Sequence, residues 1–266
     1  MLDELCDSRL AAPPHDAGNP AFASHEVIPG DCARGLVVLC DHARNALPQG
    51  YGTLGLEPSD LERHIAYDIG VEPLARSLCA RLGAPGVVAG YSRLLIDPNR
   101  GLDDPTLIMK VSDGTIVPGN RFIDDAERQR RIELYYRPYH AAITRLVDEA
   151  MASGRPPAIL SIHSFTAVWR GVGRPWHGGV LWSRDGRFAL PLIERLRREK
   201  GLVIGDNEPY SGGLAGDTLD VHATDRGLAD ALIEIRQDLI GGAAGIAQWA
   251  DRLAPILEDI IDRPPD

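Results

Sequence analysis

Two histidines stand at the ends of apolar runs, and both could bind a metal. The stretch Ile159-Leu160-Ser161-Ile162-His163-Ser164-Phe165 is apolar up to His163, and Gly35-Leu36-Val37-Val38-Leu39-Cys40 leads directly into Asp41-His42. Asp68 lies at the start of the next amphipathic stretch, and Glu234 late in another apolar run, Ala231 to Ile235. Two imidazoles and one carboxylate are a set that holds zinc in a tetrahedron with one position left for water. Zinc so held brings the pKa of that water to about 7. A carboxylate such as Glu234 then takes the proton and passes it to a leaving amine.

Each residue has a plainer reading. His42 and His163 could be hydrogen-bonded structural histidines, and Asp68 a helix N-terminal charge. Glu234 is either functional or paired with a cation such as Arg236, because an unpaired buried carboxylate is costly. Asn45 competes with Asp68, since His42-x-x-Asn45 places an amide oxygen where a third ligand could sit. Arg93 and the pair Asn99-Arg100 suit an anionic substrate, because guanidinium grips a carboxylate with two parallel hydrogen bonds. Arg100 could equally pair with Asp97 or Asp103. Tyr210, in a Gly-containing loop, could close over a substrate. His222 is a possible site residue, and His64, His140 and His177 read as surface or supporting groups.

Strands and helices must position these groups. Continuous apolar runs bounded by turn residues read as strands of a parallel sheet, and ligands bind beyond the carboxyl ends of such strands. Strands are expected at Gly35 to Cys40, Val87 to Ala89, Tyr91 to Ile96, 158–163, Gly178 to Ser183, Val203 to Asp206 and Ala231 to Ile235. Helices are expected from Ile65 to Leu82, with Asp68 in the first turn, and from Asp124 to Ser153 with a break at Pro138. Two more span Ala189 to Glu199 and Gly245 to Ile261. This alternation predicts an α/β fold, a three-layer α/β/α sandwich with a mainly parallel mixed sheet. Residues 1–33 read as an irregular N-terminal arm, and 101–122 as a loop that could cover a site. One domain is expected over 1–266.

Composition narrows the function. A net charge of −10 argues against nucleic acid. No apolar run suggests a membrane span, and the acidic start Met1-Leu2-Asp3-Glu4-Leu5 does not resemble a signal peptide. Four cysteines without CxxC spacing fit a reduced, cytoplasmic protein. Phosphate-loop, dinucleotide and Gly-x-Ser-x-Gly patterns are missing.

Taken together and in order, His42-Ala43-Arg44-Asn45 with Pro48, Asp68-Ile69-Gly70, Tyr91-Ser92-Arg93, Asp97-Pro98-Asn99-Arg100, Ser161-Ile162-His163-Ser164-Phe165, Asn207-Glu208-Pro209-Tyr210 and Glu234-Ile235-Arg236 resemble the N-formylglutamate amidohydrolase family. The resemblance covers about residues 35–260. It implies a phosphorylase/hydrolase-like fold similar to that of zinc carboxypeptidases. It also implies hydrolysis of N-formyl-L-glutamate to formate and L-glutamate, in histidine degradation. On that resemblance His42, Asp68 and His163 hold zinc and Glu234 is the general base. Arg93 polarises the scissile carbonyl, and Asn99 and Arg100 hold a substrate carboxylate. The chain departs from the carboxypeptidase His-x-x-Glu pattern in having Asn45 at the Glu. That departure keeps open a non-catalytic binding protein for a glutamate-like carboxylate. The resemblance also admits a metal amidase acting on another N-acyl amino acid or a cell-wall peptide.

Overall fold

The computed structural model describes residues 22–263. Seven strands form one sheet: β1 His25–Ile28, β2 Leu36–Cys40, β3 Gly86–Ala89, β4 Ala158–Phe165, β5 Gly178–Leu181, β6 Ile204–Asp206 and β7 Asp230–Arg236. Their spatial order is β1-β3-β2-β4-β7-β5-β6. The middle four, β3, β2, β4 and β7, are parallel. The edge strand β1 is antiparallel to β3, and β5 is antiparallel to β7 but parallel to β6. β2 is buried at every position, as a parallel strand covered on both faces must be.

Besides one turn of helix at Pro58–Leu61, the helices are α1 Val71–Leu82, α2 Asp125–Arg131, α3 Arg137–Ala152, α4 Ala189–Arg197, α5 Thr218–His222 and α6 Ala243–Asp262. Side chains of α1, α4 and α6 pack with Leu36, Val38, Cys40, Leu160, Ile162 and Ile233 on one face of the sheet. Residues of α3 and α5 pack with Val37, Leu39, Val87, Ile159 and Leu232 on the other. The fold is therefore the expected α/β/α sandwich, with a mixed sheet whose centre is parallel. A third apolar cluster lies beside the layers, built from Tyr51, Leu54, Tyr91, Leu94 to Ile96, Leu107, Val117 and Tyr135.

Several expected elements differ. The helix expected from Ile65 starts at Val71, and Asp68 lies in the turn before it rather than in its first turn. Gly70 caps α1 in the left-handed region (φ +83°), where only glycine sits easily, and its α-carbon faces the Ile240 carbonyl too closely for a side chain. Tyr91 to Ile96 forms turns, not a strand, because its apolar residues bury into the third cluster rather than into the sheet. The expected break at Pro138 is a π-helical turn, Ile132–Tyr136, joining α2 to α3. Within the expected irregular arm, His25–Ile28 is a strand, and residues 1–21 lie outside the described residues. The segment 101–122 packs against the third cluster, and Arg63 bonds Thr115. Among the described residues, no side chain of 101–122 lines the main cavity. Cys32, Cys40 and Cys79 are free thiols, as expected, and Cys6 lies outside the described residues.

Candidate metal centre and active-site cavity

Three parallel strands deliver the chemistry at their carboxyl ends. β2 leads into Asp41-His42, β4 carries Ser161 and His163, and β7 carries Glu234. In register, Glu234 lies directly beside His163 across β7 and β4. Asp68 arrives from the turn before α1, and its own backbone N–H donates to the His42 carbonyl at 2.9 Å.

The three expected ligands converge. One donor atom from each of His42, Asp68 and His163 lies within 4.8 Å of the others, and all three residues are buried. His163 Nδ1 approaches Asp68 Oδ2 at 2.9 Å and His42 Nδ1 approaches the same oxygen at 3.4 Å. The opposite nitrogens are tethered. His42 Nε2 donates to Asp97 Oδ1 at 2.7 Å, and His163 Nε2 to Asp41 Oδ2 at 3.2 Å. Each ring is thus oriented by a carboxylate behind it, as in metal centres where the outer carboxylate fixes the tautomer. Both carboxylates are themselves held. Asp97 accepts from Arg93 Nε and Nη2, and Asp41 from the hydroxyls of Tyr139, Ser161 and Thr218.

The charges follow this geometry. Burial opposes ionisation of Asp68, yet the two imidazoles hold its carboxyl well below the usual range. Burial likewise opposes a charged His163, but its bonds to Asp41 and Asp68 raise it to about 10. Glu234 behaves oppositely. Burial, and Asp68 nearby, raise it to about 8 against the pull of His163, Arg93 and Arg174. Its Oε2 is buried without a hydrogen-bond partner among the described residues. The expected alternative partner, Arg236, instead pairs with Asp238 at 2.8 Å. A carboxyl raised toward neutrality in a cleft suits proton transfer.

A cavity of about 620 Å³ opens from this group. Arg93, Asn99, Arg100 and Tyr210 line it, as expected from the sequence, together with His64, Trp169 and Trp182. Arg93 also contacts Asp68 at 3.5 Å, so it bridges the carboxylates behind and beside His42. Asn99 Oδ1 accepts from Thr218 N, and Arg100 Nη1 donates to the Asn99 carbonyl rather than pairing with Asp97 or Asp103. The Tyr210 loop is organised by Asn207, in the left-handed region (φ +53°), whose Oδ1 accepts from Trp182 N and Gly212 N, each at 3.0 Å. Arg174 stacks over Tyr210, Trp169 and Phe165 at 5.0 to 5.5 Å.

Two expected residues are not brought to the cavity. The Asn45 amide donates to the Leu61 carbonyl and to Glu62, so it is turned away from His42 and does not compete with Asp68. His222 stacks on His140, with His140 Nδ1 2.8 Å from its Nε2, and lies behind the wall. The departure from His-x-x-Glu therefore does not touch the three converging donors. Conversely, His64 lines the cavity rather than only the surface. Nothing in the spacing marks Asp41 and Asp97 as holders of the two imidazoles, although an acid closing a wholly apolar strand, as Asp41 does, is itself a signal. The aromatic mouth of Trp169 and Trp182 had no spacing to reveal it.

The sheet and its cleft define an α/β protein with a buried His–Asp–His group able to hold a metal, beside a perturbed carboxyl, at the carboxyl ends of parallel strands. The chain belongs to the N-formylglutamate amidohydrolase family, whose profile matches residues 34–241. It is thus an amide hydrolase by family. Its fold is similar to that of the gene product Atu2144 from Agrobacterium tumefaciens, with a TM-score of 0.84 and 33% identity over 90% of this chain and 95% of that one. It is also similar to N-formylglutamate amidohydrolase from Ralstonia eutropha JMP134, with a TM-score of 0.71 and 26% identity over 90% of this chain and 97% of that one. A search of curated proteins returns no match. Among the described residues, no helix is long and apolar enough to cross a membrane.

Proposed function

We propose that the protein is a zinc-dependent amidohydrolase, one domain over 1–266, that cleaves a small N-acyl amino acid, with N-formyl-L-glutamate as its substrate in histidine degradation in the cytoplasm. The observation that carries the reading is the pairing of roles at the sheet edge. Two imidazoles point Nδ1 at Asp68 with their other nitrogens tethered, while an unpartnered Glu234 sits beside His163. His42, Asp68 and His163 would hold the ion. Bound there, zinc supplies Lewis-acid polarisation of the scissile carbonyl and acidifies a water. Glu234 takes a proton from the attacking water through its free Oε2 and returns it to the departing amine. Arg93, anchored by Asp97 and Asp68, faces the cavity and stabilises negative charge on the carbonyl oxygen. Asn99 and Arg100 hold the substrate carboxylate, and Tyr210, clamped under Arg174, closes the mouth.

Elemental analysis of purified protein, paired with formate release from N-formyl-L-glutamate with and without a chelator, tests this. About one zinc per chain and chelator-sensitive formate release are expected, and His163→Ala should abolish both. Formate release that survives His163→Ala, or protein active without any divalent metal, would overturn the assignment.

A further inference from the structure

The strand that carries His163 gives the cavity a direction. Ser161, His163 and Phe165 alternate onto one face of β4, in that order. The Thr218 hydroxyl of α5 donates to Asp41, which also accepts from Ser161, so α5 lies at the level of Ser161. Asn99 Oδ1 accepts from Thr218 N at 3.1 Å, which puts the Asn99-Arg100 pair at that same end. Phe165 stands four residues further along the strand, about 13 Å on and past His163. An amide held at His163 and Glu234, with its carboxylate on Asn99 and Arg100, therefore points its acyl group toward Phe165.

That end is aromatic. Arg174 stacks over the rings of Phe165, Trp169 and Tyr210, at 5.5, 5.4 and 5.0 Å from their centroids. Arg174 Nη1 is fixed by the Thr166 carbonyl and hydroxyl at 3.3 and 3.2 Å. The three rings line the cavity and Arg174 does not, so the rings stand between the guanidinium and the open space. His64 joins them, its ring edge-on to Trp169 with centroids 6.4 Å apart. Although Arg174 covers them on one side, Trp169 is still 37% exposed and Tyr210 44%. A formyl group, with only hydrogen on its carbonyl carbon, covers none of this surface. A site selective for formyl sets a wall against that carbon to shut out larger acyl groups. Here the cavity runs on to Trp169, and its 620 Å³ lies in the range that takes drug-sized ligands.

We infer that this end is an acyl subsite for a flat aromatic group, so that the substrates include N-aroyl amino acids. Flat rings hold a flat ring by offset or edge-to-face contact, which an alkyl chain does not make. The reaction is the hydrolysis already described. The water hydroxyl joins the acyl carbon to give the aromatic carboxylic acid, and the nitrogen takes the proton carried by Glu234 to give the free amino acid. Turnover of such substrates rests on the amidohydrolase reading; binding them does not.

The test uses the metal-loaded full chain with the N-benzoyl, N-acetyl and N-formyl derivatives of L-glutamate, and calorimetry with N-benzoyl-L-glutamate on Glu234→Gln, which stops turnover. The benzoyl compound should exceed the acetyl compound in kcat/KM by about tenfold, an aromatic contact being worth about that factor. In Trp169→Ala this ratio should fall toward one, through KM, and in Trp169→Phe, which keeps a flat ring, it should return. Trp169→Ala in the Glu234→Gln background should weaken binding of the benzoyl compound by a similar factor. Equal kcat/KM for benzoyl and acetyl, or a ratio unmoved by Trp169→Ala, would overturn the subsite. Formate release from the formyl compound, with the benzoyl compound neither bound nor hydrolysed, would leave the amidohydrolase standing and remove the subsite. Trp169-dependent binding of the benzoyl compound without hydrolysis of any of the three would do the reverse.

Discussion

A histidine that is to hold a metal must present one nitrogen and anchor the other. His42 and His163 do so with opposite ends of the same arrangement: Nδ1 toward Asp68, Nε2 onto Asp97 and Asp41. Of the two anchors, Asp97 is the more informative to change. Asp41 also receives Tyr139 and Thr218 and so ties α3 and α5 to the sheet, whereas Asp97 joins His42 to Arg93. In Asp97→Asn the ring of His42 loses its charged acceptor, and Arg93 loses one of its two carboxylates. Outer carboxylates of this kind are worth 10- to 100-fold in metal affinity. The expected result is a fall in zinc affinity of about that size, measured by competition with a chromogenic chelator, in a protein that still folds. Unchanged affinity would mean that the bond orients nothing.

At the scale of elements, the cavity is held between a rigid sheet edge and loops shaped by single residues. Asn207 is one of these. Its side chain stands in for backbone by joining the start of the Tyr210 loop to Trp182 after β5 and to Gly212. Asn207→Ala leaves those two N–H groups unpaired and a non-glycine residue in the left-handed region, where asparagine is better tolerated than alanine. The loop should loosen over the cavity, with KM for N-formyl-L-glutamate rising several-fold and kcat changing less. A fall in kcat at constant KM would place the loop in the chemistry instead. The parallel strands and the ends that matter are legible in the sequence, because a continuous apolar run followed by a histidine reads as a buried strand with its carboxyl end in a cleft. So do the helices with clear period and glycine stops. What is not legible is set by tertiary partners. Tyr91 to Ile96 looks like a strand by composition, but a separate cluster buries it as turns. Asp68 sits before its helix because Gly70, pressed on the Ile240 carbonyl, starts α1 late. Asn45 points away because the Leu61 carbonyl captures its amide. A pattern of spacing carries no record of such contacts.

The molecule as a whole is acidic, and it buries carboxylates of two opposite kinds. Asp41, Asp68 and Asp97 have cationic or hydroxyl partners and are held well below their usual range. They stabilise the fold above the unfolded pKa, and that contribution is lost only in strong acid. Asp217 accepts from the Asp220 backbone N–H and Asp230 from the Thr224 hydroxyl, without a cation beside either among the described residues, and burial raises both to about 6. Their sign is reversed. The unfolded chain gives up each proton near 3.8, before the folded chain does, so folding is favoured below that pH and penalised as pH rises through about 6. A shift of about 2 pKa units amounts to about 1–3 kcal/mol per group, less any relief from water in the cavity. Facing Asp230 are Asp217, Asp220 and Asp185, all of which raise it further, and the neutral Thr224. Asp230→Asn removes the penalty and keeps an acceptor for the Thr224 hydroxyl. At pH 7.5 its Tm should exceed that of the parent by several degrees, at about 2–4 °C per kcal/mol for a chain of this size. At pH 4 the two should melt together, because the parent Asp230 is then protonated in the folded state. A variant less stable at pH 7.5 would mean that the carboxylate is satisfied in the folded protein.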